Sequence, residues 1–265
     1  MKAVLVHEWY DEQRTPRLTE RIIKSGLFRN PPIVTPTQDN TNRYIVLDGA
    51  NRTSALRALN CPDMLVQVVQ AGDPGLILRT WNHVLSGIDP ANLMDRLRII
   101  PNLDLASSEE EVELPNRPEV GIALMQTIDG KTWGLSASGR TPDKQIAMLN
   151  TVVSIYKQAA RLDRTTYSEI IELRPFYPDL SALVIFPKFS IPDLVSLASR
   201  GCLLPAGITR TTISPRALNV NLPLEILMSD EPLSNKQAYL QKMIGERYAG
   251  NKIVFHPEAT MIFDE

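Results

Sequence analysis

A chain of 265 residues with 43% hydrophobic and 22% charged residues has an ordinary globular composition, which excludes wholesale disorder. Its 28 Lys and Arg against 30 Asp and Glu leave a net charge of -2, which argues against coating nucleic acid as the main role. Two cysteines, Cys61 and Cys202, are too few for a disulfide scaffold or a thiolate metal site, and His7, His83 and His256 are too widely spaced for zinc. The opening MKAVLVHEWYDEQR breaks into charge after six residues, unlike a signal peptide, and no apolar run reaches membrane-spanning length. A cytoplasmic protein without membrane contact is expected.

The pattern predicts a strand over residues 3–6. A helix follows with Pro16 near its start, Leu18, Ile22 and Ile23 on its apolar side and Gly26 at its end. Strands are expected at 33–34 and 44–47 around a polar turn, then a helix over 52–59 and a strand over 64–69. Residues 76–88 have helical spacing, with Ile77, Trp81, Val84, Leu85 and Ile88 on one face, so His83 should be exposed. The acidic, proline-rich stretch 101–119 suits an exposed connection. Beyond it the spacing predicts strands at 120–126 and 132–137 joined at Asp129-Gly130, and a helix opened by Pro142 and running to about Leu162. A strand at 182–186, helices at 191–200 and 235–248, and a last strand at 252–255 complete the series. The expected class is α/β in two domains, residues 1–85 and 86–265.

Gly130-Lys131-Thr132 imitates the end of a phosphate-binding P-loop, but Met125 stands where the first glycine belongs, so that reading fails. The segment Asp48-Gly49-Ala50-Asn51-Arg52-Thr53 carries more chemistry. A strand ends in a carboxylate, a glycine permits a sharp turn, and a helix begins with free amides beside an arginine. Such a junction suits phosphate, with Arg52 as a fork donor and Asp48 as a ligand for magnesium. It equally suits a plain strand-to-helix connection with Asn51 as the cap.

Gly26-Leu27-Phe28-Arg29-Asn30-Pro31-Pro32-Ile33-Val34 followed by Asp48-Gly49-Ala50-Asn51-Arg52 resembles the ParB/sulfiredoxin superfamily over roughly residues 3–70. Sulfiredoxins place a reactive cysteine at the third position of that box, and Ala50 excludes them. Chromosome-partitioning ParB proteins continue into a helix-turn-helix with a basic surface, and this chain continues into an acidic linker and a hairpin. The free-serine kinase branch is similar in three further places. These are His7-Glu8, the Thr80-Trp81-Asn82-His83-Val84 stretch, and Leu204-Pro205-Ala206-Gly207-Ile208-Thr209-Arg210 with Arg216-Ala217-Leu218 beyond. Ala50 and Asn51 stand where the family box usually carries histidines.

The resemblance implies a ParB/sulfiredoxin-like N-terminal domain with a second α/β domain closing a cleft. It implies phosphoryl transfer from ATP or ADP, with Mg2+, to free L-serine. Glu8 and Asp48 would be catalytic, Asp48 also holding the metal, and Gly49, Ala50, Asn51, Arg52 and Thr53 would bind nucleotide. Trp81, His83, Thr209, Arg210 and Arg216 would line the substrate site. The alternatives are a ParB-like DNA-binding regulator that senses nucleotide or amino acid, and a nucleotide hydrolase.

Overall fold

The fold is known from a computed structural model that describes residues 1–37, 39, 41–108, 121–139 and 141–256. In chain order, β1 (Val4–Val6), α1 (Arg14–Ser25), β2 (Leu27–Phe28), β3 (Ile33–Pro36), β4 (Tyr44–Asp48), α2 (Ala50–Ala58) and β5 (Gln67–Val68) come first. There follow β6 (Leu76–Thr80), β7 (Asn82–Ser86), α3 (Pro90–Arg98), β8 (Leu103–Ser108), β9 (Ala123–Thr127) and β10 (Thr132–Ala137). Then come α4 (Pro142–Ala159), β11 (Arg161–Thr165), a 3-10 turn (Ile170–Leu173), β12 (Leu180–Ile185) and α5 (Ile191–Ser199). The last elements are β13 (Thr209–Ile213), β14 (Leu222–Pro223), α6 (Leu224–Met228) and α7 (Leu233–Ala249). Among the described residues no helix is long and apolar enough to cross a membrane.

These elements form two units, each made of separate stretches of chain. The first takes Met1–Val4, Tyr10–Ile77 and the residues from Thr212 on; the second takes Leu5–Trp9 and Leu78–Thr211. A single cut after residue 85 therefore does not describe the chain. The reason is the core of the first unit, where Ile22, Phe28, Ala55 and Leu56 pack with Leu222, Leu224 and Leu227 from the far end of the sequence. Each such leucine contributes about 1.5–3 kcal/mol when fully buried, so the returning segment is part of that core. β14 also pairs with β2, antiparallel.

The first unit carries a four-stranded sheet in the order β1-β4-β3-β5, with β3 antiparallel to β4 and parallel to β5. Helix α1 packs on α2 and ends at Gly26, whose φ of 63° lets its amide bond back to Ile22 and Ile23. The second unit carries a six-stranded antiparallel sheet in the order β11-β7-β12-β9-β10-β8. The Asp129-Gly130 turn joins β9 to β10 as its residues predict. Helix α4 packs on β10 and α3.

The largest correction falls on residues 76–88, which form β6 and β7 and no helix. β7 is buried along its whole length because β11 and β12 flank it, and a central strand covered on both faces shows no alternation. The helical spacing of Ile77, Trp81, Val84, Leu85 and Ile88 is a coincidence of residues that belong to β6, to the link after it, to β7 and to the turn beyond. Residues 103–108, expected in an exposed connection, form edge strand β8 against β10; 109–120 lie outside the described residues. The strand expected at 252–255 is absent, and Ile253, Val254 and Phe255 are exposed. Helix α3 adds to the expected elements, and its start is written locally: Asp89 caps the Ala91 and Asn92 amides and Pro90 follows it.

Helix α7 is fastened by one buried cation. Lys236 Nζ donates to Asp63 Oδ2 and to the Ser229 carbonyl, each at 2.7 Å. Asp63→Ala strands that ammonium and should cost about 2–3 kcal/mol in urea denaturation, whereas adding Lys236→Met should recover most of the loss. Equal destabilisation of the single and double variants would contradict the pairing.

Candidate functional site

In the second unit a parallel bridge sets Glu8 beside Leu204. The Leu204 amide donates to the His7 carbonyl at 2.8 Å and the Trp9 amide to the Leu204 carbonyl at 2.9 Å. This places the Glu8 carboxylate under the loop that follows Leu204. Its Oε2 accepts from the Gly207 amide at 2.6 Å, and its Oε1 from the Thr209 amide at 2.8 Å and from the Thr209 hydroxyl. His7 Nε2 stands 3.3 Å from Oε1 and 2.8 Å from Thr209 Oγ1. Only 9% of Glu8 is exposed, so it is no solvated strand-end residue. Burial pushes its pKa up, but the His7 hydrogen bond and charge, the Thr209 hydroxyl and the Gly207 amide together hold it below the ordinary carboxylate value. Glu8 is ionised at neutral pH.

Gly207 turns at a φ of 77°, a conformation that favours glycine, and the exposed Arg164 guanidinium lies over it, donating to the Ala206 carbonyl at 3.4 Å. The Trp81 amide donates to the Ile208 carbonyl at 2.8 Å, and Arg210 lays its guanidinium over the Trp81 ring, 4.7 Å from the centroid. Among the described residues Arg210 meets no carboxylate within ion-pair reach. Glu8, Trp81, Thr209 and Arg210 are thus brought together around one loop.

His83, expected at the surface, is 1% exposed. It sits mid-β7, its Nδ1 2.6 Å from the Tyr156 hydroxyl and its ring edge-on to Phe186. Its Nε2 faces the Gly207 backbone without a well-aligned hydrogen bond. Burial drives its pKa down to about 3, and the Arg164 charge adds to this against the Gly207 backbone and Glu8. A neutral, enclosed imidazole supports the loop from behind and is not open to a substrate.

In the first unit, β4 ends at Asp48, Gly49 turns at a φ of 104°, and α2 begins at Ala50 with no side chain capping its amides. Arg52 donates to Asp48 Oδ2 at 2.7 Å and to the Asn30 and Pro31 carbonyls at 2.9 and 3.3 Å. Its fork is spent on the protein's own acceptors. Arg216, 168 residues from Asp48, donates to the same Oδ2. Gln67 holds the Arg216 loop, donating to the Pro215 carbonyl at 2.8 Å and accepting from the Ala217 amide at 2.9 Å. One carboxylate thus faces two guanidiniums at an uncapped helix N-terminus, which leaves a positive excess suited to an anion.

Asn51 caps nothing in its own helix: its Oδ1 accepts from the Asp11 amide at 2.7 Å and ties α2 to the start of α1. The Thr53 hydroxyl, fully buried, bonds back to the Gly49 carbonyl at 3.1 Å. Asp48 Oδ2 already receives two arginines, so Oδ1 is the oxygen through which this carboxylate would meet a magnesium ion. Among the described residues no group of three or more His, Cys, Asp and Glu is arranged to hold a metal.

Comparison with known proteins agrees with this architecture. A free serine kinase in complex with AMP superposes with a TM-score of 0.69 at 16% identity, over 85% of this chain and 90% of that one. SbnI with a C-terminal truncation, from Staphylococcus aureus, superposes with a TM-score of 0.73 at 22% identity, over 93% of this chain and 94% of that one. In sequence the chain is similar to the ATP-dependent L-serine kinase SbnI of Staphylococcus aureus (strain NCTC 8325 / PS 47), 24% identical over 248 residues, 92% of this chain and 88% of SbnI. No family model matches. The chain shares the mixed α/β fold of these structures.

His83 offers a stability test. The unfolded chain binds a proton at the ordinary histidine pKa of 6.5, and the folded chain does not until about 3. Stability from this group is complete above 6.5 and falls as pH drops towards 3, by up to about 1.4 kcal/mol per pH unit. Denaturant titrations from pH 7 to 4 should show His83→Gln with a shallower acid loss than the parent. Parallel curves would place the imidazole in solvent.

Proposed function

We propose that this protein is a phosphotransferase that moves the terminal phosphoryl group of ATP or ADP to the hydroxyl of free L-serine, giving O-phospho-L-serine. The observation that carries the reading is Glu8: a buried carboxylate kept ionised, whose Oε1 accepts twice from Thr209 beside the His7 imidazole while Oε2, among the described residues, accepts from the Gly207 amide. Serine binds in the second unit. Its hydroxyl donates to Glu8 Oε2 and its carboxylate meets Arg210, which the Trp81 face holds in place. The nucleotide phosphates bind in the first unit, a ParB/sulfiredoxin-like module, at the α2 amides of Ala50, Asn51 and Arg52 beside Arg216. Arg52 shapes that site by clamping Asp48 and the Asn30-Pro31 backbone.

Phosphoryl transfer forms the bond from serine Oγ to phosphorus, breaks the bond to the nucleotide, and sends the Oγ proton to Glu8. The transition state is loose and the proton leaves late, so the base needs to be ionised and well placed rather than strong. A carboxylate with a lowered pKa meets that need.

The test is incubation with labelled ATP or ADP, magnesium and a panel of amino acids, with detection of phosphorylated product. Labelled O-phosphoserine is expected. Nucleotide turnover without any phosphorylated amino acid would leave a hydrolase. Glu8→Gln should lower kcat by about 10² or more with nucleotide binding retained. Arg210→Ala should raise the KM for serine far more than that for nucleotide, and Arg216→Ala should do the reverse. Any exchange of those two effects would refute the assignment of donor and acceptor residues.

A further inference from the structure

The hydrogen bonds around Glu8 can be followed proton by proton. An ionised carboxylate only accepts, so the Thr209 hydroxyl must donate its single proton to Oε1. Thr209 Oγ1 is then an acceptor towards His7, and at 2.8 Å the proton between them must sit on Nε2. The same Nε2 stands 3.3 Å from Oε1. The Thr209 amide and hydroxyl therefore both donate to one oxygen of the carboxylate, and the His7 Nε2–H, given to Thr209 Oγ1, lies beside that oxygen. Among the described residues the Gly207 amide is what meets the other. His7 is 3% exposed, too enclosed to touch a substrate itself.

We infer that His7 is a positioning residue that, through the Thr209 hydroxyl, reserves Oε1 of Glu8 for the protein and leaves Oε2 as the oxygen that takes the acceptor proton. This rests on Glu8 being the general base. It moves Thr209 from the substrate-binding set to the support of the base. The same contacts account for the low pKa of Glu8: burial opposes ionisation, and the His7 hydrogen bond and charge come first among the groups that favour it. The other charged or titratable groups at this loop are Arg210, laid over the Trp81 ring, Arg164, laid against Gly207, and His83, neutral and enclosed behind it. Among the described contacts none of these three donates to Oε1.

The experiment follows the Glu8 side-chain carboxyl carbon by 13C NMR across pH, assigned by its disappearance in Glu8→Gln, alongside steady-state kinetics with nucleotide and serine. In His7→Phe, Glu8 should titrate about one unit or more higher, and the acid limb of kcat/KM should move with it. The kcat should fall by about tenfold to a hundredfold with the nucleotide KM unchanged, as misplacement of a reacting group demands. His7→Gln retains a donor and should lose less on both readouts. Thr209→Val removes the relay hydroxyl while leaving His7 in place and should shift Glu8 in the same direction; it decides the matter if His7→Phe does not fold. An unmoved Glu8 titration in the folded variants overturns the inference. Full activity in Glu8→Gln overturns the general-base reading instead, and the NMR result stands apart from it.

Discussion

Burying a carboxylate costs several kcal/mol unless hydrogen bonds and nearby positive charge replace its water, and the second unit is arranged to supply them at Glu8. The donors come from a loop some 200 residues away in sequence: Gly207 and Thr209 present backbone amides, and Thr209 adds its hydroxyl. That geometry depends on the bridge between Glu8 and Leu204 and on a glycine that turns at positive φ. His83 and Tyr156 close the loop from behind. Burial, charge and loop conformation are one constraint, because loosening any of them leaves a buried charge short of donors.

The first unit solves a different electrostatic problem. Two guanidiniums converge on one carboxylate oxygen at a helix end that no side chain caps. Asp48 orders the arginines and does not cancel them, so the surplus is positive where the α2 amides also point. Arg52 is the anchored member, held by backbone carbonyls as well as by Asp48. Arg216 arrives on a loop that Gln67 pins at two points. This division explains why the core of the unit recruits its last elements from the C-terminal part of the chain: the segment that completes the core also delivers Arg216.

Local chemistry was legible in the sequence. The Asp48-Gly49 junction, the Asp129-Gly130 hairpin and the Gly26 helix end are each written in a few adjacent residues. The His7-Glu8 pair and the loop from Leu204 to Arg210 stood out as motifs, but that they bond to each other depends on tertiary structure. Arg164 carried no signal, and Tyr156 only that of the apolar stripe it shares with Ile146, Leu149, Val152 and Val153, since each acts through a neighbour distant in sequence. His83 was misplaced with its element: a strand buried on both faces loses the alternation that would have marked it, and the spacing of Ile77, Trp81, Val84 and Leu85 imitated a helix. The division of the chain was hidden for a related reason, because composition shows where a chain is polar and not where it returns.

The central claim is that the protein holds an ionised Glu8 whose Oε2, beside the Gly207 amide, receives the proton from serine. Its most direct test is a crystal structure of the Glu8→Gln variant with nucleotide and serine bound. The account predicts the serine hydroxyl within about 2.6–3.2 Å of the side-chain amide at position 8, on the side that Gly207 contacts, with the serine carboxylate against Arg210. Serine bound with its hydroxyl turned away from position 8, and its carboxylate away from Arg210, would contradict it.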